Sequence, residues 1–174
     1  GSVAGSQVAA LADKPATLPP AEMMPQADLD PVRARRMDDL SRIVTAAAGF
    51  ALSDAGVSGD AAAECGAMLG VAFGSVDLSA AFVDRVFQKG PRFASPVDFP
   101  NSVMNAPSSH AAIYHGLKGP NLTVSALGAS AEIAVAAAVD EIALGVSERL
   151  LAGGAEERTR LVVTALGNLY AHPG

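Results

Sequence analysis

The chain has a single cysteine, Cys65, in 174 residues. An internal disulfide framework is therefore impossible, and a cysteine-based metal site has too few ligands. Aromatic residues are also scarce, at 5%, although 50% of the chain is apolar. Alanine carries much of that apolar count, and 17 glycines lie among it. Such a core is made by close backbone approach as well as by large side chains. Basic residues are few: 12 against 18 acidic ones, for a net charge of −6. A nucleic-acid partner is thereby disfavoured, since it demands a basic face that displaces counterions. The longest apolar run, Ile133–Val139, is too short to cross a bilayer. No charged-then-apolar signal opens the chain, and the composition fits a soluble cytoplasmic protein. Neither GxGxxG after a strand nor GxxxxGK[ST] occurs, so no nucleotide cofactor is implied. His110 and His115 are five apart, the wrong helical spacing for shared metal ligation, and His172 stands near the end. No metal is expected.

What is present reads as one domain with a tail, long enough to bury a real core. Residues 1–30 are rich in Ala and Pro. Pro15, Pro19, Pro20 and Pro25 forbid a long helix, leaving an irregular arm with a weak edge strand at Ser2–Ala10. The opening Gly1-Ser2 reads as a cloning scar, with the natural start elsewhere. Residues 31–174 form the folded part. Asp30-Pro31 opens a helix whose stripe is Met37, Leu40, Val44, Ala47 and Ala51, widened by Ile43 and Phe50. Gly56 stands where a left-handed cap belongs. Cys65–Phe73 reads as a buried parallel strand. Asp77 caps the next helix, with Leu78, Phe82, Val86 and Phe87 facing inward.

Ser95–Ser109 reads as an extended loop. Ala106–Gly116 should be helical with Ile113 and Tyr114 inside, and Asn121–Ala126 a strand. Gly128–Leu144 is a helix apolar on most faces, expected to be buried all round. Arg149–Ala152 is a short strand, and LVVTAL in the tail looks strand-like. Helices alternating with short buried strands argue for an α/β fold with a mainly parallel sheet.

Three ordered stretches say more than fold class. The first is Arg35-Arg36-Met37-Asp38, leading into the Ala-rich helix that ends Asp54-Ala55-Gly56. The second is Phe99-Pro100-Asn101-Ser102-Val103 with Asn105 and His110, running into Gly116-Leu117-Lys118-Gly119-Pro120-Asn121-Leu122-Thr123-Val124. The third is Leu151-Ala152-Gly153-Gly154-Ala155-Glu156. Over roughly Pro31–Glu157 their order and spacing resemble the β-ketoacyl synthases, the condensing enzymes of fatty-acid and polyketide assembly. The resemblance implies a thiolase-like half-fold, the amino-terminal one of two similar βαβαβαββ halves. The family's first strand is absent here or reduced to Ser2–Ala10. Taken as central to the half-sheet, its loss leaves a gapped sheet, a replacement by the arm, or a strand from a partner.

A condensing enzyme needs a thiolate to take an acyl group from a carrier thioester, with groups that drive decarboxylation and hold the enolate. In the family the cysteine lies eight residues after the Pro of Gly-Pro. Here that residue is Gly128, which cannot be acylated. Cys65 precedes a different strand and reads as a buried structural thiol. Ser130 is a weak nucleophile candidate, set against a helix-start hydrogen bond. GASAE fails the GxSxG pattern at its last position. The family's catalytic histidines lie in its second half. His110 matches a first-half histidine taken as structural, and so is only a weak catalytic candidate. His115 and His172 read as surface residues. For Gly128 two readings stand: a partner subunit that kept the turn and lost the chemistry, or a decayed chain that tolerates a tight turn.

Arg33, Arg35 and Arg36 make a basic cluster on an acidic chain. Arg35 and Arg36 match family positions that dock acyl carrier protein; the alternative is a solvated helix start, although positive charge opposes the helix dipole there. In the family the strand holding Asn121, Leu122, Thr123, Val124 and Ser125 pairs antiparallel with its twin across a two-fold axis. An uncovered half-fold would be an association hazard, so a homodimer, or a heterodimer with a ketosynthase-like chain, is expected. The leading expectation is a non-acylating partner or scaffold, akin to a chain-length factor. A split ketosynthase completed by a second chain, and a fragment studied for its fold, are the alternatives.

Overall fold

The computed structural model describes residues 29–171. The expected arm, its Ser2–Ala10 strand and His172 lie outside the described residues. The order of elements is α1 (Pro31–Ala34), α2 (Asp39–Asp54), α3 (Gly59–Ala63), β1 (Gly66–Gly70) and α4 (Val76–Lys89). Then come α5 (Asp98–Asn101), α6 (Ala106–His115), β2 (Asn121–Val124), α7 (Ser130–Ala143), β3 (Leu150–Gly154) and α8 (Arg160–Ala171).

The three strands are parallel in the order β2-β1-β3, with Ala67 opposite Asn121 and Leu151. They bond directly to one another. The gapped sheet is thus overturned: no place for a missing strand lies between them, and any further strand must add at an edge. Side chains alternate along β1 as a two-residue period demands. Ala67, Leu69 and Val71 face α2 and α6, where Leu40, Val44, Leu52 and Ala111 meet them. Met68 faces the other way, against Ala134 and Ala138 of α7 and Leu150 of β3.

The long helix expected from Asp30 is two helices. The Asp30 carboxylate caps α1, accepting from Val32 N at 2.8 Å. Asp38 then starts α2 afresh, accepting from Ser41 N at 3.2 Å, and its other oxygen accepts a hydrogen bond from the Ser75 hydroxyl. A carboxylate that serves a new N-terminus cannot also sit inside an older helix. Met37, Leu40 and Val44 are buried, whereas Ala47, Phe50 and Ala51 stay exposed. Gly56 ends α2 with φ +65°, as expected, and Val57 N donates to Leu52 O across the cap.

Other expectations give way to the packing. Ser75, not Asp77, occupies the N-cap of α4, and Phe87 is 85% exposed rather than inward. The 95–109 stretch is no extended loop, since it holds α5 and the start of α6. Ile113 is 75% exposed while Tyr114 is half-buried, because α6 turns Ala111, not Ile113, to the sheet. His115 is not a free surface residue: its Nε2 donates to Thr45 O at 2.8 Å, in space that Gly49 leaves open. The tail is helix α8 rather than a strand.

Helix α7 begins at Ser130 and buries only Ser130, Ala134 and Ala138. Ile133, Val135, Val139 and Ile142 remain exposed, so the expectation of burial all round fails among the described residues. The buried stripe is small because the contact is close. A Cβ on Gly70 would collide with the Ser130 carbonyl, and one on Gly154 would lie 2.5 Å from Ala131 Cβ. Gly70→Ala should therefore cost about 2 to 3 kcal/mol by overpacking. Gly128→Ala, with nothing within 4 Å, should stay within about 0.5 kcal/mol of wild type. Urea unfolding of the two variants checks this contrast.

Candidate functional site

The candidate site is the elbow between β2 and α7. The chain leaves Val124, turns through a 3-10 turn at Leu127–Ala129 and enters α7 at Ser130. Leu127 holds φ +48°, the one positive value on a non-glycine residue among those described. Left-handed backbone on a leucine costs about 1 to 2 kcal/mol and persists only where the surroundings enforce it. The enforcement is visible. Ser130 Oγ accepts from Ala126 N at 2.8 Å and donates to Leu127 O at 2.7 Å, a staple across the turn. Ser130 is buried, at 4% exposure.

Glu156 braces the same place from the far side. Its Oε2 accepts from Ala72 N at 2.8 Å and Phe73 N at 2.7 Å, at the carboxyl end of β1. Ala155 N donates to Gly70 O at 3.1 Å. The Gly-Gly-Ala-Glu stretch thus has a physical meaning: Gly154 admits α7, and Glu156 ties the loop after β3 to the loop after β1. Between them opens a notch of about 240 Å³, lined among others by Gly70, Ala72, Leu127, Gly128 and Glu156. Gly128 is exposed there at the start of α7, with free space where a side chain would point. Backbone N–H groups at such a start suit a developing oxyanion or a thiolate. This chain puts no thiol among the residues that line the notch, and no histidine lines it either.

The other candidates are dispersed. Asn101 donates through Nδ2 to Arg36 O at 2.8 Å and Val97 O at 3.1 Å. With both amide protons used, its Oδ1 is the acceptor, so His110 Nε2 donates to it at 2.8 Å. Asn101 and His110 together hold the Arg36 loop in place. Cys65 is 3% exposed with its thiol turned to Gly66 O. Burial pushes its pKa up, against smaller downward pulls from the Leu151 backbone and Arg149. Arg33 lies over the Tyr114 ring at 4.1 Å and donates to the Tyr114 carbonyl. Arg35 and Arg36 are exposed, with no side-chain bond or ion pair among the described residues.

On β2, Asn121 Oδ1 accepts from Ser108 Oγ, and Asn121 Nδ2 donates to Ser108 O at 3.3 Å. Leu122 is 44% exposed, and Ser125 Oγ donates to Ala72 O at 3.3 Å. Residues Asn121–Val124 pair with β1 on one side; their other edge is unpaired among the described residues.

Sequence reasoning missed two features here. Nothing about a leucine at 127 signals a left-handed backbone. Nor does the run Glu156-Glu157 announce that Glu157 is half-buried facing Asp39, Asp38, Asp77 and Glu156. Burial first, and then these carboxylates, push the Glu157 pKa up. A raised folded-state value means that ionised Glu157 destabilises the fold above it. The penalty is relieved as pH falls through that value, and is gone below the unfolded carboxylate pKa of about 4.3. Glu157→Gln should therefore stabilise the protein near neutral pH and match wild type in acid. Urea titrations at both pH values check it; a gain that persists in acid would contradict the assignment.

The family described as β-ketoacyl synthase, N-terminal domain, matches residues 19–169. The chain is 34% identical to 3-oxoacyl-[acyl-carrier-protein] synthase 2 of Vibrio harveyi over 126 residues, 71% of this chain and 30% of that one. A β-ketoacyl synthase structure from Burkholderia phymatum superposes with a TM-score of 0.72 at 27% identity, covering 83% of this chain and 36% of that chain. The ishigamide ketosynthase/chain length factor superposes at 0.70 and 25% identity, covering 86% and 43%. The chain thus spans about a third of the length of the relatives it matches. Helices flanking an open parallel sheet, with these relatives, make the fold thiolase-like. The chain belongs to the β-ketoacyl synthase family, of which it carries the amino-terminal domain.

Proposed function

We propose that this chain is a non-acylating ketosynthase-type partner or scaffold subunit in fatty-acid or polyketide biosynthesis. The observation that carries the proposal is Gly128. By the resemblance it stands where the family has its nucleophile, on a sharp, side-chain-stapled elbow. The Ser130 staple, the strained Leu127 and the open space beside Gly128 are what support this reading. A decayed chain has no reason to keep a strained turn once its purpose is gone.

Three surfaces support a life in an assembly. Helix α7 leaves Ile133, Val135, Val139 and Ile142 exposed on both flanks of its buried stripe, apolar surface of the kind another protein layer covers. The free edge of β2, from Asn121 to Ser125, suits antiparallel pairing with a twin or a ketosynthase-like chain. The ketosynthase/chain length factor neighbour is a precedent for two-chain assembly. Arg35 and Arg36, unpaired on a loop that Asn101 holds, are suited to docking an acidic acyl carrier protein, with Arg33 anchoring that loop on Tyr114.

The second reading is a split ketosynthase in which another chain supplies the histidines; the preserved elbow favours it as well. One experiment tests the non-acylating role. Wild-type protein incubated with an acyl-carrier thioester should keep its intact mass. Gly128→Cys should gain one acyl group, as the new thiolate displaces the carrier thiol from the thioester carbonyl. An acyl adduct on the wild-type chain would sink the non-acylating role. An unmodified Gly128→Cys would show the elbow to be incompetent and favour decay.

A further inference from the structure

Helix α4 carries two apolar stripes and uses one. Leu78, Phe82 and Val86 are half-buried toward the body, and Phe82 meets Phe99 with ring centroids 5.9 Å apart. Ser79 Oγ, beside that stripe, reaches Ser75 O at 2.9 Å. The second stripe is Val76, Ala80, Val83 and Phe87. At 100° per residue it is turned away from the first by roughly a third of the circumference. Its spacing of four, three and four residues is that of a seam between paired helices. No residue of α4 is buried, and Val83 and Phe87 are 48% and 85% exposed. The stripe floors an open groove of about 560 Å³ that Phe73 extends beyond the helix.

Charge beside the seam narrows the occupant. Asp77 and Asp84 flank it on the same side, both exposed. Gln88 Nε2 donates to the two Asp84 oxygens at 2.7 and 2.8 Å, which orders that carboxylate without neutralising it. Arg85, the nearest cation along the helix, is committed elsewhere, to Asp98 at 2.8 Å. Neither Asp77 nor Asp84 has an ion pair among the described residues. An antiparallel second copy would oppose Asp77 to Asp84. A parallel copy would set Asp84 across from Ser79 and Asp77 across from Ala72. The antiparallel pair sets like charges across the seam, which is costly, and the parallel pair supplies no cation to either carboxylate.

We propose that the Val76–Ala80–Val83–Phe87 face of α4 docks an amphipathic helix of a different protein, one whose apolar seam is flanked by Lys or Arg. This surface is separate from the elbow and from the β2 edge, and the proposal does not rest on the function proposed above.

The test uses the full chain and two labelled synthetic helices of about three heptads, both with leucine at the seam. One has lysine at the flanking positions, the other glutamate. Fluorescence anisotropy should show saturable binding of the lysine helix, about tenfold or more tighter than the glutamate helix. Phe87→Ser, a change at an exposed position, should abolish that binding while leaving urea unfolding unchanged. The pair Asp77→Asn and Asp84→Asn should erase the preference between the two helices. Equal binding of both helices by wild type, or binding that survives Phe87→Ser, would overturn the proposal. A homodimer that Phe87→Ser dissociates would overturn it too, by assigning the seam to a second copy.

Discussion

The approach of α7 to the sheet is the contact on which the rest depends. Gly70 and Gly154 lie on neighbouring strands and present bare backbone to Ser130 and Ala131. Because no Cβ intervenes, the first turn of α7 sits against the strand ends, closer than any ordinary side chain allows. The chain must then pass from β2 into α7 within a few residues. That tightness forces Leu127 into the left-handed region and calls on Ser130 to hold the turn. Glu156 closes the arrangement by fixing the loop after β3 to the loop after β1. One packing distance thus sets the elbow, the notch and the direction of the Gly128 backbone.

The same contact fixes what α7 leaves outside. A helix that buries only Ser130, Ala134 and Ala138 contributes little side-chain area to the core. Its larger residues, Ile133, Val135, Val139 and Ile142, point elsewhere. Fully burying such a side chain is worth about 1.5 to 3 kcal/mol, so several of them left in water are a considerable unspent driving force. A second layer over α7 would recover it. One helix thus does both: its buried stripe places the elbow, and its flanks leave apolar surface open.

Much of this was legible in the sequence where a residue type has one physical use. Gly56 and Gly116 mark left-handed helix ends, with φ of +65° and +73°. Of the apolar run Cys65–Phe73, Gly66–Gly70 is a buried strand. The ordered motifs read as a family because they hold one another: Asn101 bonds the Arg36 loop and His110, and Glu156 bonds the end of β1. What was not legible depended on contacts across the fold. Asp38 breaks the first helix because Ser75, far along the chain, meets its carboxylate. LVVTAL has strand composition, yet it follows the Thr159 hydroxyl, which accepts from Val162 N and starts a helix. The apolar breadth of α7 signalled a burial all round that the described residues do not supply.

The central claim is that α7 needs such a layer. Size-exclusion chromatography with light scattering on the purified chain tests it most directly. The account predicts a mass of at least two chains, since an uncovered α7 and a free β2 edge should associate. A monodisperse monomer that unfolds cooperatively in urea would contradict it.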